Sequence, residues 1–255
     1  MFTRLLVGLD GSEPSRVALA QAIELGRRFH ARLLLAHVSR PAEVAWGSGP
    51  ERDTGAFTLS VLDDAAARAA EAGLQGEMIQ RRGGVVDQLV AMAHEADAVF
   101  VGRAGLDAKD PLGPETRILI QRCPVPVFVA ATAVARFDRC AIAYDGGATS
   151  QRALAFAARF VGIGGGRLEV ITAGNDQGLA EETLVRAAAP LSESPLRSGT
   201  HFARGAIGTA VDHAIRDLGC DALITGAHRV EGHAEMPSHT EELLRATDIA
   251  VVVQP

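Results

Sequence analysis

An internal duplication is the feature of this 255-residue chain that most limits how it can fold. Residues 97–130 align with residues 221–254 at a constant offset of 124, which places Asp97 over Asp221. The start of the chain repeats as well, because residues 7–22 align with residues 142–157. Solenoid units repeat every 20–50 residues or so, and this repeat is far longer, so each copy is expected to be a whole domain. We therefore predict two domains, at residues 1–135 and 136–255.

Strand and helix patterns alternate within the first copy. Apolar runs typical of buried strands occupy residues 4–9, 32–38, 98–101 and 125–130, and a further strand is predicted near residues 77–80. Helical patterns separate them, and a polar segment at 41–56 that contains Trp46 is expected to be a loop. Such alternation requires right-handed crossovers and a parallel sheet that is covered on both faces. We predict an α/β fold with two tandem doubly wound parallel sheets, each with strand order 3-2-1-4-5.

This strand order predicts where a ligand would bind. The direction of the winding reverses between strands 1 and 4, and the crevice beyond their carboxyl ends is the usual ligand site. The loops at residues 10–12 and 102–105 meet there. Asp10 can accept hydrogen bonds from a base or a ribose, and a glycine loop before a helix offers N–H groups to a phosphate. Asp10 as a helix N-cap, a role that Ser12 or Glu13 can share, explains the same residue equally well.

Several segments together resemble the universal stress protein family. They are VGLDGSEPS, the alanine-rich first helix, DAVFVGRAG and CPVPVFVA, and the resemblance covers nearly the whole chain as two tandem domains. It implies a fold similar to that of adenine nucleotide alpha hydrolases and a cytoplasmic role in the stress response or its regulation. A subset of the family binds ATP or AMP through an early Asp and a signature of Gly, two residues, Gly, nine residues, then Gly with Ser or Thr.

The first copy matches most of this signature. The resemblance, together with the loop that contains Asp10, identifies seven candidate residues for binding an adenine nucleotide: Asp10, Gly11, Ser12, Val38, Gly102, Gly105 and Thr116. Glu115 stands where the last Gly is expected, and a slip in the spacing would bring in Gly113 instead. A carboxylate there would repel a bound phosphate, an effect that Arg103 and Lys109 can offset.

The second copy departs further from the signature. Asp145, Gly226 and Thr240 remain, but three positions differ, since Arg229 and His239 replace glycines and Gly147 replaces Ser12. A side chain in place of a glycine obstructs the approach of backbone N–H groups to a phosphate. We therefore expect one nucleotide per chain, in the first domain.

Metal binding and catalysis are not expected. The three cysteines lie far apart without CxxC spacing, which favours buried apolar residues in a reducing compartment. His228, His233 and His239 share one stretch, but their spacing fits no usual zinc pattern. Ser12 has no histidine nearby to activate it. We predict no metal site, no catalytic residues and no enzymatic activity beyond weak ATP hydrolysis at most.

Charge and hydropathy limit the partners. A net charge of −6 gives no basic field for nucleic acid, and no run of eighteen apolar residues or leader pattern indicates a membrane or secretion, so a cytoplasmic location is expected. The final strands of the two copies, at 125–130 and 249–253, are predicted to join the domains as an intrachain pseudo-dimer that can associate further into a homodimer. The alternative function is an interaction or assembly module for an unknown protein partner, with decayed nucleotide sites.

Overall fold

The computed structural model of the protein describes residues 2–40, 55–105, 110–227 and 238–255. The chain divides into two compact units, Met1–Val134 and Ala135–Pro255. The division falls one residue before the predicted boundary. Most of the predicted loop at 41–56, including Trp46, lies outside the described residues, but a helix already begins at Gly55, so the predicted end of that loop is wrong.

Within its described residues, the first unit consists of a parallel five-stranded sheet and four helices. Its strands follow the order β3-β2-β1-β4-β5, which confirms the predicted doubly wound fold. In chain order, its elements are β1 (Arg4–Gly8), α1 (Glu13–Phe29), β2 (Arg32–Ser39), α2 (Gly55–Glu71), β3 (Gly76–Arg82), α3 (Val85–Ala93), β4 (Ala98–Gly102), α4 (Pro114–Arg122) and β5 (Val127–Ala130).

The burial of each strand follows from its place in this sheet. Leu5, Leu6 and Val7 of the central strand β1 are fully buried because helices cover both faces. Right-handed crossovers place α1 and α2 on one face and α3 and α4 on the other, since the chain winds in opposite directions from β1. In contrast, β3 ends the sheet and exposes most of its side chains.

The second unit repeats the architecture. Its strands follow the order β8-β7-β6-β9-β10, which is again 3-2-1-4-5 within the unit and confirms the tandem duplication. In chain order, its elements are β6 (Arg139–Ala143), α5 (Ala148–Ile163), β7 (Arg167–Gly174), α6 (Gln177–Ser192), β8 (Arg197–Arg204), α7 (Ile207–Leu218), β9 (Ala222–Gly226), α8 (Ser238–Ala246) and β10 (Ala250–Gln254).

Asp97 and Asp221, which the duplication aligns, have the same structural task. Asp97 Oδ2 accepts hydrogen bonds from the backbone N–H groups of Thr3 at 2.6 Å and Arg4 at 3.0 Å. Asp221 likewise accepts from the N–H of Arg139 at the start of β6. Burial alone would raise the pKa of Asp97, but the hydrogen bonds from Thr3 and Arg4 lower it below the usual range. Each aspartate fastens the first strand of its unit to the fourth.

Two further predictions concern burial and hydropathy. The three cysteines, Cys123, Cys140 and Cys220, are buried and form no disulfide, which confirms that they serve as small core residues. Among the described residues, no helix has both the length and the apolar character that crossing a membrane requires.

Candidate functional site

The carboxyl ends of three neighbouring strands form the candidate site in the first unit. Strand β1 pairs with β2 on one side and with β4 on the other, all in parallel. The segments that follow Gly8, Ser39 and Gly102 therefore leave the sheet at one edge. The structure thus brings the loops at 10–12 and 102–105 to the same edge, as the strand order predicts.

Asp10 is held by its own loop. Its Oδ1 accepts hydrogen bonds from the backbone N–H of Ser12 at 2.9 Å and from Ser12 Oγ at 2.5 Å. Ser12 Oγ in turn accepts from the N–H of Ser15 at 3.2 Å and caps α1. The cap is therefore Ser12, and the alternative that Asp10 caps the helix is wrong. Instead, the serine fixes the orientation of the carboxylate.

The second carboxylate oxygen of Asp10 faces the glycine loop. A Cβ added to Gly105 would lie 3.0 Å from Asp10 Oδ2. Among the described residues, none donates a hydrogen bond to this oxygen. Gly105 is itself exposed. A side chain at residue 105 would cover the carboxylate, so glycine keeps one acceptor of Asp10 open to the crevice.

Gly11 shapes the same loop in two ways. Its φ of +79° lies in the left-handed region that favours glycine. An added Cβ would also lie 2.9 Å from Cζ of Phe57, in the first turn of α2. Phe57 is half-buried, and its ring packs edge-on against His37 with a centroid distance of 6.1 Å. The ring of Phe57 gives the crevice an apolar wall, which the sequence did not reveal because nothing in its spacing relates α2 to Gly11.

Gly102 has a packing role that differs from the predicted one. A Cβ there would lie 2.6 Å from Cβ of Pro14 and 2.8 Å from its carbonyl carbon, so the first turn of α1 fills the space. At the position of its Cβ, Gly102 therefore makes room for α1, and its contact with a nucleotide stays a prediction. The aligned Gly226 meets Thr149 of α5 in the same way, with an added Cβ 2.8 Å from the Thr149 carbonyl oxygen. Both glycines allow a helix to pack closely against the fourth strand.

Thr116 is also engaged by the fold. Its Oγ1 donates a hydrogen bond to the carbonyl oxygen of Gly102 at 3.0 Å. In the second unit, Thr240 Oγ1 donates to the carbonyl oxygen of Gly226 at 3.2 Å. The hydroxyl proton of Thr116 is therefore already used, and only its oxygen lone pairs remain for a ligand.

Gly113, rather than Glu115, contacts the glycine loop. Gly113 is the N-cap residue of α4, and its N–H donates to the carbonyl oxygen of Arg103 at 2.9 Å. A Cβ on Gly113 would lie 3.6 Å from the backbone nitrogen of Gly105. The start of α4 thus rests directly on the loop that faces Asp10.

The carboxylate of Glu115 pairs with Arg40, which follows β2. Arg40 Nη2 and Glu115 Oε1 form a short ion pair, and both side chains are partly exposed. Of the two cations expected to offset Glu115, Lys109 lies outside the described residues, and the ion pair that Glu115 forms is with Arg40 rather than Arg103. The convergence of strand ends could have pointed to Arg40, since it leaves the sheet at the same edge.

Val38 lies in the last part of β2, between His37 and Ser39. The Nδ1 atom of His37 contacts the carbonyl oxygen of Leu9 at 2.7 Å, and the His37 side chain is buried. Because side chains alternate along a strand, Val38 projects from the opposite face and is half-buried. The structure therefore places Val38 at the same edge of the sheet as Asp10.

The equivalent loop of the second unit is built differently. Asp145 Oδ1 accepts hydrogen bonds from the N–H of Gly147 at 2.8 Å and from Ser150 Oγ at 2.6 Å. Burial would raise the pKa of Asp145, but the bonds from Ser150 and Gly147 lower it below the usual range. A Cβ on Gly146 would lie 3.1 Å from Nη2 of Arg186. A cationic side chain thus adjoins this loop where the first unit has the Phe57 ring.

Several residues weighed in the sequence lie outside the part of the chain that the structure describes. Arg229, His228 and His233 lie outside the described residues, and only His239, near the start of α8, belongs to them. Within the described ranges, no three His, Cys, Asp or Glu side chains gather as a metal site. A concavity of about 230 Å³ opens beside Leu34 and β3, away from Asp10. Its lining includes Glu77, Glu95 and Arg81, and it contains none of the candidate nucleotide-binding residues.

Comparisons with known proteins agree on the kind of chain this is. The model of the universal stress protein family matches residues 1–131. Universal stress protein YxiE of Bacillus subtilis is 30% identical over 146 residues, which are 51% of this chain and 99% of that protein. Universal stress protein Slr1230 of Synechocystis is 26% identical over 201 residues, 75% of this chain and 70% of that protein.

A likeness in fold extends over both units. The crystal structure of a universal stress protein from Archaeoglobus fulgidus has a TM-score of 0.81 at 20% identity, covering 98% of this chain and 95% of that chain. At this identity the likeness concerns the fold alone. The matches in sequence go beyond the fold, because the family model matches residues 1–131 and YxiE is covered almost from end to end. The chain therefore belongs to the universal stress protein family.

Proposed function

We propose that this chain is a cytoplasmic stress-response regulatory protein whose first unit binds an adenine nucleotide, ATP or AMP. The observation that carries the proposal is the carboxylate of Asp10. Ser12 fixes it through Oδ1, while Oδ2 faces the exposed Gly105 across the crevice. A half-buried carboxylate oxygen of fixed orientation is a suitable acceptor for a ribose hydroxyl or for the amino group of a base.

The surrounding residues would contact different parts of the nucleotide. Gly11 and Ser12 shape the loop on which the ribose would lie, Phe57 would supply apolar surface for the base, and Val38 would contact the base from the end of β2. The phosphates would lie against the loop from Gly102 to Gly105, beside the N-terminus of α4, where the helix dipole favours negative charge. Thr116 would contribute through its lone pairs, because its proton is donated to Gly102.

The second unit shares the anchored aspartate but not its surroundings, and we propose a stoichiometry of one nucleotide per chain. Asp145 is held through Oδ1 as Asp10 is, but the guanidinium of Arg186 lies beside Gly146, and Arg229 stands in the sequence where the first unit has Gly105. The second unit would then serve structure or partner binding rather than ligand binding.

Regulation rather than catalysis fits the geometry best. Ser12 Oγ donates to Asp10, which superficially resembles a nucleophile and its base. However, the Ser12 side chain is buried, and its oxygen accepts the capping hydrogen bond from Ser15. A nucleophile must be open to its substrate. We therefore propose that ATP, when bound, is hydrolysed weakly at most.

Titration calorimetry with ATP and AMP tests this proposal. We expect saturation near one nucleotide per chain, and a ligand at 100 times its Kd should add about 2.7 kcal/mol to the free energy of unfolding. Gly105→Arg should abolish binding, because its side chain would start 3.0 Å from Asp10 Oδ2 and cover that oxygen.

Gly178→Arg is the matched control, since it introduces the same side chain in α6 of the second unit. It should bind as the wild type does. Two equivalent sites, or undiminished binding by Gly105→Arg, would place the ligand elsewhere. Complete absence of binding would favour the alternative, an interaction module with decayed sites.

A further inference from the structure

The ion pair between Arg40 and Glu115 joins the two sides of the candidate crevice. Arg40 follows β2, and Glu115 lies in the first turn of α4, which follows β4. Strand β1, whose loop contains Asp10, lies between β2 and β4 in the sheet. The pair therefore links the segments that leave the sheet on either side of the Asp10 loop, although 75 residues separate its members.

Glu115 occupies the place where a phosphate would meet α4. The N–H of Gly113 already binds the Arg103 carbonyl, and Pro114 has no N–H to offer. The free donors of the helix start are thus at Glu115 itself and its successor. A carboxylate in the first turn of a helix also compensates the positive end of the dipole, so the helix start carries an anion of its own.

The contacts of the site connect this carboxylate to Asp10. Asp10 Oδ2 faces Gly105, and Gly105 rests against Gly113, the cap residue two positions before Glu115. A ligand that reached from Asp10 to the helix start would therefore bring its phosphates close to Glu115. Each added phosphate charge would either face that carboxylate or displace it from Arg40.

We infer that the Arg40–Glu115 pair makes this crevice select adenine ligands of low phosphate charge, in the order adenosine or AMP before ATP. This inference rests on the proposed function, since it concerns the same site. Arg40 partly neutralises Glu115, which is why a single phosphate is accepted. Additional phosphates meet the Glu115 carboxylate and an Arg40 that is already paired with it, and like charges a few ångströms apart repel each other.

The test compares adenosine, AMP and ATP by calorimetry on the full chain. For Glu115→Gln, we expect ATP to bind roughly three- to tenfold more tightly, AMP to gain less, and adenosine to change by less than about twofold. For Arg40→Gln, which leaves the Glu115 carboxylate without this cation, we expect ATP to bind more weakly than it binds to the wild type. Glu182→Gln, in α6 of the second unit, removes one equal charge away from the crevice and should leave all three affinities unchanged.

Ionic strength gives a second readout. Because both side chains are partly exposed, the preference for low phosphate charge should shrink as salt rises. An unchanged ratio of ATP to adenosine affinity in Glu115→Gln would overturn the inference while leaving nucleotide binding intact. Failure of every variant and of the wild type to bind adenosine, AMP and ATP would instead overturn the proposed function. Equal gains in affinity for adenosine and ATP in Glu115→Gln would show that the substitution changes the shape of the crevice rather than its charge, and this too would overturn the inference.

Discussion

The two units contain the same loop after their first strand, but they hold its aspartate with different hydroxyl groups. In the first unit the hydroxyl belongs to Ser12, which also caps α1. In the second unit position 147 is glycine, and Ser150 donates to Asp145 from one turn further on. The carboxylate is held through Oδ1 in both units, so this anchoring is a requirement of the loop, and the feature that marks Asp10 as a candidate ligand contact is its Oδ2 beside the exposed Gly105.

The comparison separates structural residues from candidate ligand contacts. Gly102 and Gly226 make the same close approach to a helix, and Thr116 and Thr240 donate to the same carbonyl. Residues that have the same contact in both units are explained by the fold. Only residues that differ can explain a difference in binding, and in the first unit these include the open Gly105 and the Arg40–Glu115 pair.

The two units also differ at the opposite end of the sheet. Leu34 in β2 aligns with Glu169 in β7, whose side chain is fully buried. Glu169 pairs with Arg139 at 3.2 Å and with His201 at 2.8 Å, and also with Arg167. Burial would raise its pKa, but the hydrogen bonds from His201 and Arg167 lower it.

This buried carboxylate affects a neighbouring thiol. Burial, reinforced by the negative charge of Glu169, raises the pKa of Cys220 to about 12. The thiolate is the reactive form of cysteine, so Cys220 is inert at neutral pH. The second unit therefore contains a charged cluster where the first has an apolar contact, and neither arrangement is needed for the shared strand order.

The largest effect on stability is expected from replacing the glycine at the end of the fourth strand of either unit with alanine. Gly102→Ala and Gly226→Ala should each lower the free energy of unfolding by roughly 3 kcal/mol, because a Cβ would overlap the first turn of α1 or α5. Urea denaturation measures the loss, and hydrogen exchange assigns it to a unit. A Gly102→Ala protein of normal stability that no longer bound nucleotide would show that the glycine serves the ligand instead.

A smaller effect is expected at Glu169. Glu169→Gln should lower the free energy of unfolding at pH 7 by about 2 kcal/mol, less than for a fully buried pair because its partners are partly exposed. The folded pKa is depressed, so this stability is present above the unfolded pKa and is lost as pH falls through the folded value.

Urea denaturation of the wild type and of Glu169→Gln across acidic pH checks this sign. The difference between the two proteins should narrow as the solution becomes more acidic, since Glu169 of the wild type is then protonated in both its folded and its unfolded state. Leu34→Met in the first unit is the control, and its stability difference from the wild type should not vary with pH. A gap that widened in acid would contradict the depressed pKa.

The smallest effect is expected at the paired threonines. Thr116→Val and Thr240→Val each remove one hydroxyl that donates to a glycine carbonyl, at a cost of about 1 kcal/mol in thermal unfolding. Because the contact is the same in both units, the two losses should be similar. Nucleotide affinity should fall less than about threefold in Thr116→Val. A much larger fall would mean that Thr116 rotates to donate to the ligand.

The sequence by itself determined the architecture of each unit. The duplication, the alternation of apolar strands with helical patterns and the strand order are local or periodic signals, and the structure follows them. The burial of the three cysteines was predictable in the same way. The family motif located the loops at Asp10 and Gly102, because strand ends converge wherever a parallel sheet reverses its winding.

Only the tertiary structure decided what each residue of those loops contacts. The motif grouped Gly102, Gly105 and Thr116 together, yet the first packs against Pro14, the second faces Asp10 and the third binds a carbonyl. The partner of Glu115 is Arg40, a residue 75 positions away. Such pairings depend on sheet register and on the angle at which a helix meets a strand, and neither quantity leaves a periodic trace in the sequence.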